Sequence, residues 1–363
     1  MTPLNSAEAW ADFERSDFGT APTLRLRPLD FDPDLTRRDL YNLEVENVDD
    51  PALHSLFRAK RDEIARQITA LEDRDTSRFL YGSLQLYGTV APALAAAAEE
   101  LLETIPPQAP STQTVTAGAF ADAARAEFER YRAVYPDFPV RVEVRDDISE
   151  LMVSFGHLLI PESAAFRADR VEPLLHHEVG THVVTYQNGA RQPLELLTIG
   201  LPGYDETQEG LAVLAEYLTG GLDPRRLRVL AARVVAVGKV LDGAGFLDIF
   251  ESLRAEHRIP ARTAWSIAIR VVVGGGSVKD AIYLRGITRI LDALAEAIAS
   301  TSCWSASSPW TTSPWCRTCS IARCSIRRGS GHAGWMCPVR RSVLARLREG
   351  ASVTDLYEEG VAA

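Results

Sequence analysis

The run Leu174-Leu175-His176-His177-Glu178-Val179-Gly180-Thr181-His182 constrains this chain more than any other stretch. From Val171 the sequence has a helical period. Val171, Leu174, Leu175, Glu178 and His182 fall at i, i+3, i+4, i+7 and i+11 on one inward stripe. On that stripe apolar residues give way to a carboxylate and an imidazole, which are costly to bury without a partner. A second carboxylate, Glu209, follows in Gln208-Glu209-Gly210-Leu211-Ala212. Neutral imidazoles plus a carboxylate are the ligand set of a catalytic zinc that keeps one position open for water. A further glutamate beside such a metal is the usual general base of metal-assisted peptide hydrolysis.

The spacing of the histidines is unusual. His177 and His182 are five apart, which in a regular helix separates them by roughly 140°; the familiar H-E-x-x-H pattern uses four. Five residues align better across a π-bulge. Gly180, a costly residue inside a helix, marks where the distortion is expected. After a loop from Asn188 to Gly203 comes a second helix, with Asp205 and Gln208 resembling a capping box. Leu211, Leu214, Ala215 and Leu218 form its core stripe. Glu209 sits in its first turn, where a carboxylate is also favoured by the helix dipole alone.

The formal charge of −10 argues against a nucleic-acid binder driven by phosphate contacts. The N-terminus has no basic segment followed by an apolar run, and no apolar stretch is long enough to span a bilayer. The expectation is a cytoplasmic protein with neither nucleic-acid nor membrane partners; its oligomeric state is left open.

Elsewhere the pattern is mainly helical. Leu53, Leu56, Phe57, Ile64, Ile68 and Leu71 mark a long helix from Pro51, an alanine-rich helix follows from about Pro92, and another covers roughly 117–135. Val140, Val142 and Val144 then alternate with charged residues as in a half-buried strand. Leu151 to Ser154 and His157 to Ile160 resemble a hairpin, whose edge would suit an extended substrate by β-augmentation as well as plain packing on helices. Three more helices are expected near 224–241, 245–257 and 261–273. Gly274-Gly275-Gly276-Ser277 lacks the spacing of a phosphate loop and reads as a turn with Ser277 capping the next helix.

Taken together, His177-Glu178-Val179-Gly180-Thr181-His182, Gln208-Glu209-Gly210-Leu211-Ala212 and Lys279-Asp280-x-x-Tyr283-Leu284-Arg285-Gly286 resemble a known family, as do Asn47-Val48-x-Asp50-Pro51 and Leu86-Tyr87-Gly88. It is the bacterial flavohemoglobin expression-modulating QEGLA motif proteins, related to the microtubule-associated tyrosine carboxypeptidase of animals. The resemblance covers about residues 25 to 300. It implies that His177, His182 and Glu209 bind zinc, that Glu178 activates water, and that a residue is released from the C-terminus of a peptide or protein. The substrate of the bacterial branch does not follow from it.

Among the remaining polar residues, Lys279 or Arg285 would suit a substrate's terminal carboxylate, the arginine by a bidentate contact. Tyr283 would suit a developing oxyanion, and His157 a substrate carbonyl. Each also has a plain structural role. His176 is expected outside the ligand set.

From about Thr301 to Arg340 the composition changes abruptly. The window holds all five cysteines and four of the six tryptophans, is dense in serine and has no periodicity. Cys316-x-x-Cys319 with Cys324 and Cys337 invites a structural-zinc reading. The preceding chain, however, is rich in Ala, Arg, Leu and Gly, the signature of GC-rich coding, which read out of frame yields Cys, Trp, Ser, Pro and Arg. The expectation is a pair of compensating frameshifts across the window, in which case the cysteine spacing is accidental. The expected architecture is α+β and mainly α-helical, with a small hairpin or sheet before the histidine helix. An N-terminal helical region (1–115) would pack on a catalytic region (116–300), followed by the anomalous segment (301–340) and a tail (341–363). The function expected is a zinc-dependent peptidase, with a non-peptide amide hydrolase and a non-catalytic regulator holding a structural metal as alternatives.

Overall fold

The computed structural model describes residues 3–108, 113–148, 150–302, 347 and 350–360. Residues 303–346, which hold the five cysteines and the suspected change of reading frame, lie outside the described residues.

The chain is mainly helical. α1 (Ser6–Arg15) and α2 (Pro33–Tyr41) precede α3 (Pro51–Glu72), α4 (Arg78–Tyr87) and α5 (Pro92–Thr104). Asp50 starts α3 by accepting from the amides of Ala52 and Leu53, and Pro51 fills the first helical position, where no amide is needed. β1 (Thr114–Thr116) leads into α6 (Ala117–Val134), and β2 (Val142–Arg145), β3 (Met152–Ser154), β4 (His157–Pro161) and β5 (Ala165–Arg167) follow. The histidine stretch comprises α7 (Val171–His177), a π-helical segment (Glu178–Val183) and α8 (Val184–Ala190). Then come α9 (Leu196–Ile199), α10 (Tyr204–Leu218), α11 (Pro224–Leu241), α12 (Phe246–Ala255), α13 (Ala261–Val272), α14 (Ile282–Ser302) and α15 (Asp355–Gly360). Among the described residues no helix is long and apolar enough to cross a membrane.

The expected hairpin is present as β3 and β4, paired antiparallel from Met152–Leu159 to Ser154–His157. It is joined by Phe155 and Gly156, both at positive φ, the two-residue turn that matches strand twist. β4 is the centre of the sheet, with β2 parallel on its other side, so β3 is an edge. The single small sheet of the sequence reading is incomplete: β1 and β5 form a second, two-stranded ribbon. Its three-residue strands are too short to show a period of two.

Two apolar clusters support these elements. One gathers α1, α5 and the helices from α10 to α14, with Leu230, Ala231, Val234 and Val237 of α11 buried in it. The other joins Phe120, Ala124 and Phe128 of α6 to Leu158 and Ile160 of β4 and to Val179 and Val183 of the π segment. The histidine stretch is thus anchored from the sheet side, while α10 brings Glu209 from the helical side.

α10 and α14 cross at two glycines. A Cβ built on Gly210 would lie 2.4 Å from the carbonyl carbon of Gly286, and one on Gly286 would lie 2.2 Å from the Glu206 oxygen. Only glycine permits this backbone approach. It holds the start of α14 against the start of α10. The start of α10 corrects the expected capping box. Gly203, not Asp205, is the N-cap, and its amide donates to Glu63 of α3 at 2.6 Å. A partner 140 residues away is invisible to local capping rules.

Candidate active site

Between the β3 edge and α13 lies a cleft of about 800 Å³. His177, Glu178, His182 and Glu209 line it, with Lys279 and Tyr283. The π-helical segment answers the spacing problem raised by the sequence. It places the rings of His177 and His182 5.1 Å apart, with both Nε2 atoms facing one oxygen of Glu209. Gly180 lies within the segment, yet a Cβ there would meet only ordinary contacts beyond 3.4 Å, so space is not what its presence secures.

Glu209 Oε2 is 3.6 Å from His177 Nε2 and 3.5 Å from His182 Nε2. That oxygen is buried and has no hydrogen-bond partner. Three donors on a metal with bonds of about 2.0–2.2 Å in tetrahedral geometry are separated by about 3.3–3.6 Å. The separations therefore suit a shared cation better than direct hydrogen bonds. His177, His182 and Glu209 form a group able to hold a metal ion. Electrostatics agree. Burial works against a charged His177, but Glu209 and Glu216 outweigh it and push the imidazole up to about 10. A position that holds a proton so firmly also favours a metal cation, which displaces that proton on binding.

Glu216 was not foreseen. It lies seven residues beyond Glu209 on the same face of α10 and is 0% exposed. Its Oε1 is 2.7 Å from His177 Nδ1 and 3.0 Å from Arg226 Nη2; its Oε2 accepts from Arg170 Nη2 at 2.6 Å and Arg226 Nε at 3.0 Å. Burial alone would raise the Glu216 carboxyl, but Arg226, His177 and Arg170 hold it well below the usual range. An ionised carboxylate only accepts, so Nδ1 of His177 carries the proton and the Nε2 lone pair faces the cation position. A carboxylate recurring two turns on, amid Leu and Ala, was the available signal.

Glu178 begins the π segment, half-buried on the cleft, and burial pushes its carboxyl above the ordinary range. The Tyr283 ring lies near-parallel to that of His177, with centroids 6.5 Å apart and the Arg233 guanidinium 5.1 Å from its own centroid. Burial raises the Tyr283 phenol above its ordinary value, keeping it a donor. Lys279 faces the cleft with Nζ 3.5 Å from Asp205 and 5.4 Å from the Tyr87 ring centroid.

Two expected substrate contacts are placed differently. Arg285 does not line the cleft. Its Nε donates to Glu206 at 2.6 Å and its Nη1 to the Thr89 carbonyl at 3.0 Å, with a further bond to the Tyr87 carbonyl. These contacts tie α14 to α10 and to the end of α4. His157 is also outside the lining, its Nδ1 accepting from the Arg141 amide at 3.2 Å. His176 is buried beside Glu172, away from the ligand group.

A mainly helical α+β fold that brings two imidazoles and a carboxylate together beside a cleft defines a candidate metal centre. The family model described as microtubule-associated tyrosine carboxypeptidase matches residues 11–307, and the chain belongs to that family. A search of the curated proteins finds no match.

Proposed function

We propose that the protein is a zinc-dependent carboxypeptidase that removes a C-terminal residue from a peptide or protein. The observation that carries this reading is the unpartnered Glu209 oxygen facing two imidazole Nε2 atoms at 3.5 and 3.6 Å, on the wall of an open cleft. Membership of a carboxypeptidase family supplies the substrate class.

His177, His182 and Glu209 would hold the zinc, and Glu216 fixes the His177 ring. Bound there, zinc supplies Lewis acidity and a water ionisable near neutral pH. Glu178 takes a proton from the attacking water and returns it to the leaving amine nitrogen, for which a raised carboxyl is better matched. The Tyr283 hydroxyl donates to the oxygen on which charge develops. The β3 edge aligns the peptide, and Lys279 contributes positive charge for its terminus.

Metal analysis of purified protein tests the reading. Wild type is expected to carry one zinc, Glu209→Ala to lose it, and Glu178→Gln to keep it while losing turnover of C-terminal peptides. An active Glu178→Gln enzyme would sink the assignment of the base. Stoichiometric zinc without hydrolysis of any peptide would favour a regulator with a structural metal.

A further inference from the structure

Arg270, near the end of α13, forms a two-point fork on Asp280: Nε donates to Oδ2 at 2.7 Å and Nη2 to Oδ1 at 2.8 Å. Asp280 is buried and has Arg233 3.6 Å away. Arg233 in turn lies over Tyr283, which stacks near His177. The guanidinium is therefore fixed from behind and linked by packed contacts to the centre. Its remaining nitrogen, Nη1, lies 3.1 and 3.2 Å from the two oxygens of Glu150. Glu150 precedes β3, is 48% exposed, and reaches across the cleft to α13, 120 residues away. A half-exposed carboxylate held by one nitrogen is a weak tie.

We propose that Arg270 is the receptor for the substrate's terminal carboxylate, and that Glu150 occupies it in the free enzyme as an internal stand-in that the substrate displaces. The class of ligand rests on the carboxypeptidase reading; the exchangeable carboxylate site rests on the geometry. A planar guanidinium with a locked fork suits a second carboxylate better than the other cleft cations do. Lys279 already faces Asp205 and the Tyr87 ring, and Arg262 lies between the rings of Trp10 and Trp265. Exchange of Glu150 for a free C-terminus conserves both the charge and the contact at Arg270. An amide or an internal peptide bond brings no charge to exchange and leaves the Glu150 pair in place, so Arg270 favours a free C-terminus over an internal peptide bond. Asp280 is a positioning residue in this arrangement.

Binding is measured on Glu178→Gln protein, zinc-loaded and metal-free, with N-acetyl-glycyl-tyrosine and its C-terminal amide. The acid is expected to bind more tightly than the amide. Glu150→Gln should tighten the acid about two- to fivefold and leave the amide unchanged. That gain should vanish when Arg270→Gln is added. Should Arg270→Gln fail to fold, Arg270→Lys, which keeps the charge but not the fork, is expected to lose most of the acid preference. Equal acid affinity in the parent and Glu150→Gln, or a gain that survives the loss of Arg270, would overturn the proposal. Acid-selective binding with no hydrolysis by wild type would overturn the peptidase reading alone. Hydrolysis with equal binding of acid and amide would overturn only the role of Arg270.

Discussion

Replacing Glu216 by glutamine keeps the shape of the side chain and removes its charge. Each carboxylate oxygen takes two donors: Oε1 serves His177 and Arg226, and Oε2 serves Arg170 and Arg226. An amide has one accepting oxygen, so two of the four contacts become donor against donor whichever way it is turned. If the oxygen stays on the His177 side, Arg170 and Arg226 Nε lose their acceptor; if it flips, His177 does. Breaking a buried ion pair from one side costs about 3–5 kcal/mol. At about 2 °C per kcal/mol for a long chain, Tm should fall by roughly 6–10 °C. Loss of the partner that orients a ligating imidazole should also weaken zinc by about 10–100-fold. The two effects are read separately, the first by thermal unfolding in chelator and the second by competitive zinc titration of folded protein. A metal-free Tm within about 2 °C of wild type would refute the stability argument. Zinc affinity within about threefold of wild type, set against the expected 10–100-fold, would refute the orienting role even if Tm fell.

Two further outcomes follow from the structure. Gly210→Ala should destabilise, because about 1–3 kcal/mol of overpacking against the Gly286 backbone exceeds a helix-propensity gain of about 1 kcal/mol. Gly238→Ala on α11, where a Cβ meets nothing within 4 Å, should instead raise Tm, and thermal unfolding of the pair shows whether the signs are opposite. For Asp280, burial alone would raise the carboxyl, but Arg233 and Arg270 outweigh it and hold it below its ordinary value. Its contribution to stability is therefore full above the unfolded carboxylate pKa and is lost as pH falls through the lower folded value. In denaturant titrations the advantage of wild type over Asp280→Asn should be constant from about pH 5 upward and shrink only on stronger acidification. An advantage that grows as pH falls would contradict this.

Most of the long helices were legible because their apolar residues recur at helical spacing, as from Pro51, whereas α2, in a stretch rich in proline and aspartate, and α4 were not. The π segment was legible because five-residue spacing of two histidines is awkward in any regular helix. What the sequence hid was long-range. Glu63 capping α10 and the reach of Glu150 to Arg270 join residues far apart in the chain. Arg285 and His157 had the right chemistry for substrate contacts, yet their positions commit them to holding α14 to its neighbours and to the sheet. Conversely Arg226, Arg233 and Arg270 lie on helices whose other residues read as ordinary amphipathic pattern, so their inward course left no local mark.

The extra residue of the π segment has an effect beyond the two histidines. Taking up one extra residue within a turn keeps everything downstream in phase, whereas a regular helix of the same sequence would turn it by about 100°. Immediately downstream are Tyr186 and Gln187, which meet the hairpin tip so closely that a Cβ on Gly156 would lie 2.4 Å from the tyrosine ring and 2.9 Å from the glutamine amide. One insertion therefore sets both the direction of His182 and the face that α8 offers to the strand beside the cleft. Straightening the segment into a regular helix, with no residue removed, would swing His182 away from His177 and at the same stroke turn that docking face away from the hairpin. Ligand spacing and the seat of the edge strand therefore rest on one local distortion, and whatever straightens the helix loses both.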